Sequence, residues 1–293
     1  MRKTFVEITD QLIREDERTI LLLGDIGVFA FRKTIEDFPL RAMNFGIMEQ
    51  TMISFASGLA KEKFIPIVHT IAPFLVERAY EQLKVDFGYQ QLSGNFISVG
   101  ASNDYTSLGC THHSPGDVGS LLNIPGFEIV IPGTSEEFQA AYKSYYSNSK
   151  ATYFRLTDQT NNVSFPFNKG KGVKIKDGTK GTILAIGPVL NSILPVIQPL
   201  DIELLYMNQI MPFDNEILSR NCISNKLLVI EPFYSGTSSY LIMNALRGRN
   251  ISVDFLGIPR NFLTDYSSNL TQEYSTDFEI SKITTRIKQL IEA

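Results

Sequence analysis

Short apolar runs alternate with longer amphipathic stretches along most of the chain, and this alternation constrains the fold more than any other feature. Strands buried on both faces read as continuous apolar runs, and parallel neighbours need a crossover, usually a helix, between them. TILLLGD (19–25), FIPIV (64–68), NFISVGA (95–101), FEIVIPG (127–133) and ATYFRL (151–156) read as such strands. Helical spacing occupies about 48–61, 74–89, 117–123 and 135–147, with Phe74, Ala79, Leu83 and Phe87 inward in the second of these. A second series runs through TILAIG (182–187), DIELLYM (201–207), KLLVIEP (226–232) and ISVDFLG (251–257), closing on a helix at 279–291. The polar, Gly- and Lys-rich stretch 157–180 interrupts the pattern. The chain therefore reads as α/β, with two consecutive domains at 1–160 and 181–293. Each is a mostly parallel β-sheet flanked by helices, and the linker at 161–180 has room for a small hairpin. A length of 293 residues fits two domains of about 150 each.

Composition narrows the function classes. Hydrophobic content of 43% and charged content of 20% are those of a soluble globular protein. A net charge of −4 leaves no electrostatic footprint for nucleic acid. No apolar run reaches the roughly 18 residues that cross a membrane. The N-terminal MRKTFVEITDQLIREDER carries acids throughout and lacks the apolar core of a signal peptide. Cys110 and Cys222 lie in different expected domains, which argues against a disulfide framework and for a reducing cytoplasm. His69, His112 and His113 match no zinc spacing, so a protein-built transition-metal site is not expected.

Ligands of such sheets bind at the carboxyl ends of strands. Four segments fall there: GDIG (24–27), RAMNFGIME (41–49), HTIAPF (69–74) and SLGCTHHSPGD (107–117). GDIG has neither dinucleotide nor P-loop spacing. Glu49 heads a stripe of Met52, Ile53, Ala56, Leu59 and Ala60, either as a helix-dipole residue or as a carboxylate set in an apolar pocket for chemistry. His112 is balanced between a structural and a proton-handling role. Asp117 reads as the start of a helix after Pro115 and Gly116, and Arg78, in a helix beside Glu77 and Glu81, as a structural ion pair rather than a binding group. Arg155 ends an apolar strand and needs an anionic partner, either a carboxylate of the protein or a ligand anion. Glu136 and Glu137, after Thr134 and Ser135, read as a first helical turn.

Taken in order, these segments resemble the second half of the transketolase family of thiamine diphosphate enzymes, its pyrimidine-binding and C-terminal domains. The motifs are GDIG, R-x-x-N-F-G-I-x-E-Q-x-M with A-S-G-L-A, P-I-V-x-T-x-x-x-F-x-x-x-R-A-Y-E-Q, G-C-T-H-H and L-x-x-I-P-G-F-x-I-V-x-P-G. Their spacing is similar to that of the C-terminal subunit of split transketolases. The resemblance implies that Glu49 hydrogen-bonds the cofactor's aminopyrimidine and activates it from an apolar pocket. It places Phe74, Ile71 and Asp25 at the cofactor, Ile71 standing where an aromatic is usual. It gives His112 the reacting substrate oxygen and Arg155 a sugar phosphate, with the unusual His69 counted on the substrate side.

Thiamine diphosphate and Mg²⁺ are expected to be held mainly by a separate N-terminal subunit, in an α2β2 assembly, because the family's Gly-Asp-Gly…Asn half is missing from this sequence. The implied activity is transfer of a two-carbon ketol unit from a ketose to an aldehyde. Two departures stand out: Leu108 replaces a substrate-contacting acid, and Gly100 or a neighbour replaces a phosphate-contacting histidine. The rival expectations are a β subunit of a 2-oxo acid dehydrogenase or decarboxylase and a non-catalytic scaffold, with the 1-deoxyxylulose-phosphate synthase branch below them.

Overall fold

The computed structural model describes residues 1–264 and 280–292. Six strands come from the first half: β1 (Thr19–Leu23), β2 (Ala42–Asn44), β3 (Ile65–Ile71), β4 (Gly94–Val99), β5 (Glu128–Val130) and β6 (Ala151–Arg155). Six follow: β7 (Val173–Lys176), β8 (Thr182–Ile186), β9 (Glu203–Met207), β10 (Gln209–Met211), β11 (Lys226–Tyr234) and β12 (Ser252–Ile258). They form a seven-stranded sheet in the order β10-β5-β6-β4-β3-β1-β2 and a five-stranded sheet in the order β12-β11-β8-β9-β7. All pairings are parallel except β10 with β5 and β7 with β9. The architecture is thus the two-sheet, mostly parallel α/β arrangement that the apolar runs foretell.

Every residue of β1, β4, β6, β8 and β9 is buried, which is why these strands lack polar alternation. On one face of the first sheet, the helices Arg2–Glu15 and Ser135–Tyr145 set Phe5, Ile8, Ile13, Phe138, Tyr142 and Tyr145 against Leu21, Ile67, Ile97 and Phe154. The other face meets the helix Glu49–Lys61, the helical segment 73–89 and part of the second sheet. Its core runs without a break from Leu22, Met52 and Phe96 to Leu184, Ile186 and Val229. The two sheets therefore share one hydrophobic core.

Four local differences have physical causes. β3 continues to Ile71, so His69 and Thr70 are strand residues rather than loop residues. This strand is central, and β1 and β4 supply partners along its length, Leu23 beside His69 and Val99 beside Ile71. The 73–89 segment is π-helical at Pro73–Glu77 and Leu83–Tyr89, with a short α turn, Tyr80–Gln82, between them. A 3.6-residue period gives no sign of this, and π turns collect at functional sites. β7 lies inside the expected 161–180 connection and forms an edge of the second sheet, while β10, from the second series, joins the first sheet. The closing helix is Ile280–Glu292; the expected start at residue 279 lies outside the described residues.

Candidate active site

Gly46 has a φ of 67°, a left-handed backbone that favours glycine, and it turns the chain from β2 into the helix Glu49–Lys61. That turn sets Glu49 at the first helical position with only 1% of its surface exposed, above the buried Met52, Ile53 and Ala56. A buried carboxylate needs a partner. Arg78 supplies it across 29 residues of sequence: Nη1 donates to Glu49 Oε1 at 2.8 Å. The other oxygen, Oε2, has no hydrogen-bond partner among the described residues. Arg78 is thus an ion pair as expected, with Glu49 rather than with its chain neighbours, and its side chain is 35% exposed at the mouth of the site.

The Arg78 guanidinium lies over the Phe74 ring, 3.9 Å from its centroid, and Phe74 in turn meets the His112 imidazole edge-on at 5.0 Å. Glu49, Arg78, Phe74 and His112 therefore form one connected group. Its members come from three of the four strand-end segments marked in the sequence and from the helical segment that follows. His112 sits in a 3₁₀ turn, Cys110–His112, with Nδ1 3.0 Å from Thr111 Oγ1. Desolvation, then the neighbouring His113 and Arg78, lowers its pKa and favours the neutral imidazole.

Asp25 and Ile71 share this strand-end edge. Asp25 is exposed in the GDIG turn at a φ of 55°, and its backbone N–H donates to Asn44 Oδ1 at 3.0 Å. Asn44 Nδ2 returns a bond to Asp25 Oδ1, and Asn44 Oδ1 also accepts from the Gly46 N–H. Asn44 is the residue that ties the Asp25 and Glu49 turns together. Its place in N-F-G-I-x-E is its only sequence signal. Ile71 closes β3 and packs against the core on the Leu21 side.

Two expected substrate residues lie elsewhere. The His69 ring is buried against Phe5, with Nδ1 2.8 Å from the Ile97 carbonyl oxygen, and burial pulls its pKa down to about 4. It belongs to the core behind the sheet, because alternation along β3 points it away from Thr70, which bonds Gly24. Arg155 is 1% exposed; Nε donates to Asp117 Oδ2 and Nη2 to Ser102 Oγ, both at 2.7 Å. A guanidinium neutralised by a wholly buried carboxylate is not a free anion receptor, so the carboxylate alternative holds for Arg155. Asp117 opens its helix as expected, but its side chain serves Arg155 and Tyr153 rather than the helix end. Gly100 also has a cause: its φ is 68°, and a Cβ there would lie 2.2 Å from the Tyr105 ring. Histidine cannot stand at that position while Tyr105 keeps its place. Leu108 is exposed at the tip of the same loop.

A buried carboxylate with one oxygen held by Arg78 is thus linked through that guanidinium and the Phe74 ring to the His112 imidazole. Comparison with known proteins gives the chain its family. The chain belongs to the transketolase family: the model of its pyrimidine-binding domain matches residues 1–162. One of the subunits of the apulose-4-phosphate transketolase of Phocaeicola vulgatus is 26% identical over 292 residues, covering 95% of this chain and 94% of that protein. An uncharacterized 33.6 kDa protein in the fasciation locus of Rhodococcoides fascians is 32% identical over 251 residues, 85% of this chain and 80% of the other. The fold superimposes on the structure titled "Split gene transketolase, inactive beta4 tetramer" with a TM-score of 0.86 at 20% identity, covering 99% and 98% of the two chains. Along nearly its whole length, this chain is a homologue of the C-terminal subunits of split transketolases.

Proposed function

We propose that this chain is the C-terminal subunit of a thiamine diphosphate-dependent transketolase, moving a two-carbon ketol unit from a ketose to an aldehyde once a diphosphate-binding subunit joins it. The observation that carries the reading is Glu49: a carboxylate buried on an apolar floor, with Oε1 fixed by Arg78 and Oε2 without a partner among the described residues. That open oxygen fits a ring nitrogen, and Phe74 offers an apolar wall beside it. When bound, thiamine diphosphate supplies the nucleophilic carbon and the electron sink for carbon–carbon cleavage. Glu49 holds the proton shared with the ring, and Arg78 fixes the direction of the carboxylate. His112, kept neutral, accepts or returns a proton at a substrate hydroxyl. Asp25 and Ile71 shape the rest of the cofactor edge.

We assign the diphosphate and Mg²⁺ to the partner. The described residues contain no group of three or more His, Cys, Asp or Glu side chains able to hold a metal. Ile47 and Met48, just ahead of Glu49, and Phe55 on its helix are exposed apolar side chains of the kind a partner subunit covers. The apulose-4-phosphate transketolase relative, itself a subunit, supports that pairing, for which we infer an α2β2 assembly. The two free thiols, Cys110 and Cys222, support a reducing cytoplasm.

Reconstitution tests the reading. The chain is mixed with a diphosphate-binding transketolase subunit, thiamine diphosphate and Mg²⁺, and ketol transfer is assayed. Glu49→Gln should silence the mixture; normal turnover by that variant would defeat the assignment. Pyruvate decarboxylation by the unmodified mixture would instead favour a 2-oxo acid decarboxylase subunit.

A further inference from the structure

The loop that carries His112 is closed at its base and tied to three surrounding elements. Ser102 and Ser114 form an antiparallel bridge, with the Ser114 N–H donating to the Ser102 carbonyl at 2.8 Å. The residues between include the exposed Leu108, Cys110 and Thr111 and the ring of His112, two positions from the base. At that base, Ser102 Oγ accepts from Arg155 Nη2 on β6 at 2.7 Å and donates to the Pro232 carbonyl on β11. Arg155 is itself fixed by Asp117, which also accepts from Tyr153. The other end is held by Ser114 Oγ to Glu77 Oε1 at 3.1 Å and by the Tyr234 N–H to the Pro115 carbonyl at 3.0 Å.

Ser102 reaches these partners from a φ of 56°, unusual for a residue with a side chain. Such strain persists where the surrounding contacts over-determine it, and it concentrates at functional sites. For stability alone, well-packed apolar side chains would serve as well as a buried charged pair. What the polar set adds is direction, since each bond fixes an angle as well as a distance.

We propose that Arg155 and Ser102 are positioning residues, which orient the His112 loop over the Phe74 ring by fastening its base to β11 of the second sheet. The catalytic consequence rests on the function proposed above; the positioning itself does not. The second sheet is then more than a support for the first, because the Pro232 carbonyl is one jaw of the clamp.

Two variants test this in the full-length chain, each free of the other's weakness. Ser102→Gly removes the hydroxyl and relieves the left-handed backbone, so the fold should be kept. Arg155→Lys keeps a charge beside Asp117, but a single ammonium cannot reproduce the fork that also reaches Ser102. With the three histidines assigned by NMR, the His112 titration midpoint should rise toward the ordinary histidine value in both variants as the ring leaves Phe74, Arg78 and His113. The amides of 103–113 should exchange at least about tenfold faster, in line with loss of local protection. A merely structural role predicts no change at His112 in Ser102→Gly, and that result, with the fold intact, would overturn the proposal. In the reconstituted enzyme, kcat should fall by about ten- to a hundredfold with little change in substrate KM, the scale of a small misplacement of a reacting group. If the His112 signals move in a mixture that shows no ketol transfer, positioning stands and the functional reading falls.

Discussion

Two carboxylate–guanidinium pairs lie close to the same loop and do opposite work. Glu49–Arg78 sits at a mouth: the arginine is a third exposed, rests on the Phe74 ring, and leaves one carboxylate oxygen open. Arg155–Asp117 is sealed, with side chains 1% and 0% exposed, and its remaining contacts go to Tyr153 and Ser102. The first pair is a carboxylate kept ready; the second is a joint. Both have a nitrogen–oxygen distance under 3 Å, so distance does not separate them. Solvent access does: the spare Asp117 Oδ1 also lacks a hydrogen-bond partner, but it is sealed in the interior, whereas Glu49 lies beside an arginine that is a third exposed.

The sharpest way to break the comparison is to alter each pair in turn. Glu49→Gln should lower turnover of the reconstituted enzyme by about 10²–10⁴-fold, the range for a lost acid–base group. Its urea unfolding should stay within about 1 kcal/mol of the parent, because a part-exposed arginine regains water when its partner is lost. Arg155→Met should do the reverse, costing about 3–5 kcal/mol in the same unfolding measurement, since Asp117 would remain buried and unpaired.

A third test concerns His69, which the sequence groups with the substrate and the structure places in the core. Its folded pKa of about 4 lies below the unfolded value of 6.5. Between these values the unfolded chain binds the extra proton, so this stabilisation is complete above pH 6.5 and is lost as pH falls toward 4. His69→Phe should flatten the difference in unfolding free energy between pH 7 and pH 4.5 by about 2 kcal/mol. Glu231 and Asp104, pushed up by burial to about 7 and about 6, act with the opposite sign but are common to both proteins. A parallel pH dependence in parent and variant would return His69 to an accessible site. The smallest effect is expected at Gly46→Ala, about 1 kcal/mol of backbone strain at its positive φ. Turnover should fall only as far as Glu49 is displaced, which the cofactor-dependent rate measures directly.

Elements whose residues bury themselves locally are readable in the sequence. The helix at 48–61 begins within one residue of Glu49, and the all-buried strands β1 and β8 appear as apolar runs behind a single threonine. Elements defined by a distant partner are not. β10 is three residues long and exists through its pairing with β5; β7 is a part-exposed edge. Arg78 has acids beside it in the chain, yet its partner is Glu49 on another helix, and the π turns around it break the periodicity that would otherwise place it. Arg155 shows the same limit: its position demands an anion, and whether protein or ligand supplies it depends on where the following loop folds back.

β10 has a consequence for where this molecule can be cut. The family match ends at residue 162, yet one edge strand of the first sheet is residues 209–211. A fragment ending at the sequence match would present β5 as a bare edge, open to pairing with any other chain in solution. A single nick in 161–180 of the intact protein, by contrast, leaves both pieces fastened through β10 and the shared core. The two sheets can be told apart on paper, but they are one object to a protease, a ribosome or a protein engineer.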